Sequence, residues 1–219
     1  MKIAVIGKGG HSKVVCEICQ LNQHQIIGFF DDQFKEISLQ NGQYHAPIYA
    51  VEELLQRFPE VKLVVAAGNN QERKKLVRFL ELPGNVYMTL IHPAATISTS
   101  ARIGTGTVVM ANAVIQADAE IGNHAIINTS AVIEHDVNIA DYVHVSPGAI
   151  LTGAVKAGEG AHIGAGAAII PQIEIGEWAV IGAGATVIRP VNAFATTVGT
   201  PARELAADTR EKCPPTREI

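Results

Sequence analysis

The chain has 219 residues and 23.2 kDa, room for one ordinary domain or two small ones. Hydrophobic residues make up 47% and aromatics 5%, which excludes a disordered chain and leaves branched aliphatics, Ala and Gly to fill the core. A net charge of −4 argues against a broad nucleic-acid-binding face, no apolar run reaches the about 18 residues of a membrane span, and three Cys cannot build a disulfide framework.

Residues 2–6 (KIAVI) predict a short buried strand, too brief an apolar stretch for a signal peptide. Gly7-Lys8-Gly9-Gly10-His11-Ser12-Lys13 is a Gly-rich turn, followed by a helix over 12–21 and a second strand over 26–30 that ends in Asp31-Asp32. Cys16 and Cys19 fall inside that helix among Val14, Val15 and Ile18, so they read as core packing and not as a redox pair. A short helix over 52–57, a third strand over 61–66 ending at Gly68-Asn69-Asn70, a helix over 71–82 and a fourth strand over 86–90 complete this half. Strand, Gly turn, helix and strand form a βαβ unit, whose parallel sheet presents ligands at the carboxyl ends of its strands. The turn departs from G-x-G-x-x-G at Ser12, and about ninety residues are too few for a full dinucleotide fold. One nucleotide is therefore expected, with phosphates at the helix start near Gly9, Gly10 and His11. Asp31 and Asp32 would meet the ribose or base.

From Ile97 onward an aliphatic residue recurs every sixth position without a slip of phase: Ile97, Ile103, Val109, Ile115, Ile121, Ile127, Ile133, Ile139, Val145, Leu151, Ala157, Ile163, Ile169, Ile175, Ile181 and Val187. Ala157 is the single exception to Ile, Val or Leu. A period of six fits neither an α-helix nor a plain strand. It fits a coil of three short strands and three tight turns, with the aliphatic residue pointing inward, a small residue beside it and Gly or Asn easing the turn. One such coil cannot bury its own interior, so several must stack. The low charge content, 17%, suits a surface partly buried in an oligomer.

This pattern resembles the left-handed parallel β-helix of the hexapeptide-repeat acyltransferases, and Val198-Gly199-Thr200-Pro201-Ala202-Arg203 resembles the segment that closes many of them. The resemblance implies a homotrimer with active sites between neighbouring β-helices. With its small α/β (Rossmann-like) N-terminal domain, the whole chain resembles the bacterial nucleotide-sugar and sialic-acid acetyltransferases of glycan biosynthesis. It is most similar to the branch that N-acetylates UDP-linked 4-amino-sugars in the bacillosamine pathway. The residues that carry this are Gly7-x-Gly9-Gly10-His11-x-Lys13, Asp31-Asp32, Gly68-Asn69-Asn70 with Arg73, His92-Pro93, Ile133-Glu134-His135-Asp136, His144-Val145-Ser146-Pro147-Gly148 and Gly199-Thr200-Pro201-Ala202. The implied organisation is a nucleotide-sugar domain over 1–91, a catalytic β-helix over 92–193 and a closing segment and tail over 194–219. Cys213 in that tail has no evident partner.

Four His interrupt a repeat that favours small residues: His124, His135, His144 and His162. His135 stands at a corner between Glu134 and Asp136, and a carboxylate beside an imidazole raises its basicity, as a general base requires. The resemblance makes His135 the base and Asp136 the group that tunes it. His144 precedes the inward Val145 and should point out of the coil, and the family places this His near the thioester of acetyl-CoA. His162, eighteen residues on, should stack over His144. A backbone N–H near Gly153 would stabilise the oxyanion. By family position Ala165 and Ala183 contact acetyl-CoA through backbone groups, where Ile and Gly are the expected residues. Direct transfer is implied, with no metal, no nucleic acid, no membrane insertion and a cytoplasmic location. O-acetylation of a sugar such as sialic acid, a zinc hydratase of the β-helix class and a non-catalytic scaffold are the alternatives.

Overall fold

The computed structural model describes residues 1–205; Cys213 and the rest of the tail lie outside the described residues. The N-terminal half is a five-stranded sheet flanked by helices. Its elements are β1 (Lys2–Ile6), α1 (Gly10–Leu21), β2 (Gln25–Phe30), β3 (Ser38–Gln40), β4 (Gln43–Ala46), α2 (Val51–Arg57), β5 (Lys62–Val65) and α3 (Asn70–Leu80). The strand order is β3-β4-β2-β1-β5, parallel except for the antiparallel β3–β4 hairpin. That hairpin went unread in the sequence, although Asn41-Gly42 between two short runs is its signal. Both turn residues take positive φ, 50° and 79°.

The expected fourth strand over 86–90 does not form in this sheet. Tyr87 makes only an isolated bridge to Leu63, and Leu90–Ile91 instead opens the β-helix by pairing with Val108–Val109. The apolar stretch is shared between the two halves, which sequence periodicity cannot apportion. α1 carries Val15, Ile18 and Cys19 into a core with Ile3, Val5 and Val64, and burial pushes the Cys19 thiol up to about 12. Among the described residues both cysteines are free.

The second half is a triangular prism of stacked two-residue strands. Residues eighteen apart pair in register, as in Val114↔Val132 and Glu120↔Asn138. The sixfold aliphatic series points inward, and so do the residues four positions on, such as Ala113, Ala125, Val143 and Ala161, all fully buried. Most corners hold a residue at positive φ, among them Asp136, Tyr142 and Trp178.

The three faces differ in their outward residues. The first bears Leu90, Val108 and Ile126, then His144, His162 and Val180. Leu90, Val108 and Ile126 pack into the α1 core, so this face carries the N-terminal domain. The second bears Thr96, Val114, Val132, Ile150, Ala168 and Thr186. The third bears Arg102, Glu120, Asn138, Lys156 and Glu174, laced by Arg102–Glu120 and Lys156–Glu174 ion pairs at 2.9 Å.

Candidate active site

The Gly turn and the carboxyl ends of β1, β2 and β5 enclose a cavity of about 530 Å³ lined by Gly7, Gly9, Gly10, His11, Asp31, Asp32, Gly68 and Asn69. The two acids are not equivalent. Asp31 accepts from the Lys8 N–H at 2.6 Å and the Gln33 N–H at 3.0 Å, so its carboxylate braces the Gly turn. Asp32 is exposed, and its carboxylate accepts no hydrogen bond among the described residues. His11 is half-buried, its Nε2 is buried and unpartnered, and desolvation together with the Arg73 charge lowers it to about 4. It is thus a neutral ring at physiological pH, free to hydrogen-bond a ligand.

A second cavity of about 500 Å³ adjoins the first at Gly68-Asn69. Asn70, His144, Gly160, His162 and Trp178 complete its wall. His144 points out of the coil as expected, but the Gly68 loop covers it. Its ring meets that of His162 edge-on at 5.0 Å and 72°, so the pair one coil apart is T-shaped and not parallel-stacked.

Asn128, missed in the sequence, sets the state of His144. The Thr129 N–H donates to Asn128 Oδ1 at 2.8 Å, so the Asn128 amide nitrogen faces His144 Nε2 at 3.1 Å. The amide donates, Nε2 accepts, and the His144 proton sits on Nδ1. Nδ1 is buried without a partner, and burial, followed by the neighbouring His162, lowers this imidazole to about 3. His144 is therefore neutral and fixed in orientation, with its Nδ1–H turned toward the Gly68 loop. Ser146 stands to His162 as Asn128 does to His144, at 3.2 Å. The signal for both was the sixteen-residue diagonal that adjacent coils impose.

His135 lies apart from both cavities of its own chain, at the corner between the second and third faces. Asp136 fills the positive-φ turn position there, at 60°, and Asp tolerates that conformation. His135 Nδ1 meets Asp136 Oδ2 at 2.7 Å. That hydrogen bond, then the charges of Asp136 and Glu134, raise the His135 imidazole above its ordinary value. Nδ1 is engaged, so Nε2 is left to take a proton. The ring lies over Gly153, where an added Cβ would meet Nε2 and Cε1 at 2.7 Å. The Gly153 N–H donates to no acceptor among the described residues.

At the opposite edge of the second face, Ala165 and Ala183 are exposed. The Ala165 carbonyl accepts from the Gly184 N–H at 2.8 Å, and the Ala165 N–H donates to no acceptor among the described residues. His124 belongs to the domain junction: it is buried, edge-on to Tyr87 at 4.7 Å and stacked on Tyr142 at 5.4 Å.

Residues 2–80 match the PglD N-terminal domain, and residues 100–135 and 158–189 match the bacterial transferase hexapeptide repeats. A curated relative, UDP-N-acetylbacillosamine N-acetyltransferase of Bacillus subtilis (strain 168), is 48% identical over 110 residues. The matched stretch is 50% of this chain and 51% of that protein, so it spans about half the length of the relative. PerB of Caulobacter crescentus, solved with CoA and GDP-perosamine, is 34% identical with TM-score 0.86, over 94% of this chain and 98% of that one. The acetyltransferase domain of PglB from Neisseria gonorrhoeae FA1090, solved with acetyl coenzyme A, is 37% identical with TM-score 0.83, over 93% and 98%. The β-helix is accordingly left-handed. No helix among the described residues is long and apolar enough to cross a membrane.

Proposed function

The chain belongs to the family of hexapeptide-repeat N-acetyltransferases that carry a PglD N-terminal domain, and on that premise we propose that it transfers acetyl from acetyl-CoA to the amino group of a UDP-linked 4-amino-sugar. The observation that carries this is the His135–Asp136 pair, with Nε2 bare above Gly153.

The faces of the prism argue for a homotrimer, and the free thiols of Cys16 and Cys19 suit a cytoplasmic location. The N-terminal domain covers the first face and charged ladders solvate the third. The second leaves Ile150 40% exposed, with Ile170 and Ile188 39% exposed at its edge. Closing three copies on these faces gives roughly 70 kDa. It also brings the His135 edge of one chain against the Ala165 and Ala183 edge of the next. His144 lies on the latter side, so the base and the acetyl-CoA groups come from different chains.

The nucleotide occupies the cavity of the N-terminal domain, with phosphates at Gly9, Gly10 and His11 and with Asp32 at the ribose or base. The amine then projects past Gly68 toward the neighbour's His135. The backbone at Ala165 and Ala183, beside the His144 ring, orients acetyl-CoA, so proximity supplies much of the rate. As the amine attacks the thioester carbon, His135 Nε2 takes its proton and the Gly153 N–H receives the oxyanion. When the intermediate collapses, His135 returns the proton to the departing thiolate.

The test is a screen of UDP- and GDP-linked amino-sugars and of sialic acid with acetyl-CoA, following thiol release. Turnover of UDP-linked 4-amino-sugars is expected, and turnover confined to sialic acid would overturn the assignment. Asp32→Ala should raise the sugar KM about tenfold with a smaller loss in kcat, since only binding is touched. An unchanged KM would remove Asp32 from the pocket. Gly153→Ala should displace the exposed His135 ring and lower kcat at least tenfold while the coil survives, because the added methyl meets a side chain and not backbone. Wild-type kcat in that variant would separate the ring's seat from catalysis.

A further inference from the structure

Arg73, on α3, is 1% exposed, and among the described residues no carboxylate lies within ion-pair distance of it. All five of its N–H groups are nevertheless used. Nε donates to the His124 carbonyl at 2.7 Å, one terminal nitrogen to the carbonyls of Ala67 at 2.9 Å and Gly68 at 3.2 Å, and the other to Asn70 Oδ1 at 2.9 Å and the Tyr142 carbonyl at 2.7 Å. Hydrogen bonds to neutral acceptors offset only part of the cost of burying a guanidinium without a counter-charge, so its place here points to a role beyond stability. Two of its acceptors belong to the β-helix, at His124 and Tyr142. Two belong to Ala67 and Gly68, in the loop whose Gly68 and Asn69 line both the nucleotide cavity and the His144 cavity.

In a trans peptide the N–H points opposite to the carbonyl. A guanidinium that draws the Ala67 and Gly68 carbonyls to one side therefore aims the Gly68 and Asn69 N–H groups to the other. Neither N–H donates to any acceptor among the described residues, and both residues line the two cavities. We propose that Arg73 is a positioning residue that ties this loop to the β-helix so that the Gly68 and Asn69 N–H groups receive the diphosphate–sugar end of the substrate. The inference rests on the reading that the cavity takes a nucleotide sugar. It gives Arg73 no contact with the substrate, since every donor it has is occupied within the protein.

Arg73→Lys keeps the charge but cannot serve five acceptors at once. In the full-length protein it should raise the KM for a UDP-linked 4-amino-sugar about tenfold or more, with the acetyl-CoA KM and kcat changed less than about threefold. A second pair of variants tests the N–H itself without touching Arg73. Asn69 has φ −73° and ψ 128°, which a proline accepts, and its carbonyl still receives the Arg73 backbone N–H. Asn69→Pro removes the N–H together with the helix cap, whereas Asn69→Ala removes the cap alone. Asn69→Pro should bind the UDP-sugar at least fivefold more weakly than Asn69→Ala by calorimetry. Equal binding by the two Asn69 variants, or a folded Arg73→Lys protein with an unchanged sugar KM, overturns the proposal. So does a loss spread equally over both substrates, which is what a merely structural role would produce. If Arg73→Lys does not fold, the Asn69 pair decides. Because the binding measurement needs no acetyl transfer, weakened UDP-sugar binding in a protein that acetylates no such sugar would overturn the proposed activity and leave the role of Arg73 standing.

Discussion

His135→Ala is expected to lower kcat by about 10²–10⁴, the usual worth of a positioned proton acceptor. The fold and the trimer should survive, because the side chain stands 63% exposed at a corner and contributes nothing to the coil interior. Asp136→Asn should cost less, about tenfold, and its signature is in the pH profile. The Asp136 hydrogen bond, followed by nearby carboxylate charge, holds the His135 imidazole above the ordinary His value. A base works only when neutral, so activity falls as pH drops through that raised value. Removing the carboxylate lowers it, and the acid limb should move to lower pH. His144 lies far below neutrality, so it stays uncharged across this range and cannot produce that limb. His144→Ala should act mainly on the acetyl-CoA KM. Near-wild-type turnover by His135→Ala at saturating substrates would mean that the fold is present without this chemistry.

Ile150→Glu is expected to convert the trimer to monomers and to abolish turnover by more than about 10², although Ile150 touches neither cavity and takes no part in the chemistry. Its side chain stands at the centre of the second face, between Val132 and Ala168. Burying an unpaired carboxylate there on assembly costs several kcal/mol per subunit, and a closed ring would bear it three times. The chain itself should still fold, since the neighbouring inward residue, Leu151, is untouched and fully buried. Sedimentation and thiol-release assays on the same sample decide it. A monomer that retains full kcat would rule out a site shared between chains, and so would a variant that stays trimeric with normal turnover and leaves the face unneeded.

The β-helix was legible in the amino-acid sequence because its constraint is local and periodic. Each coil repeats the same inward requirement, so sixteen hexads in one phase admit no other packing, and the period alone places His162 above His144. The Gly turn, Asp31-Asp32 and the His135–Asp136 neighbours were legible for a similar reason, being short-range chemistry written in adjacent residues. What the period could not say is which face would be covered. Leu90, Val108 and Ile126 are outward residues like any others until α1 lies on them, and that docking turns the expected strand over 86–90 into a connection. It also brings Gly68 over His144, leaves Asn128 to choose its tautomer and closes five donors of Arg73 on groups from residues 67 to 142. None of these partners is set by sequence spacing. They meet because two independently patterned halves share one hydrophobic core, and only the tertiary structure decides which polar groups that burial leaves without water.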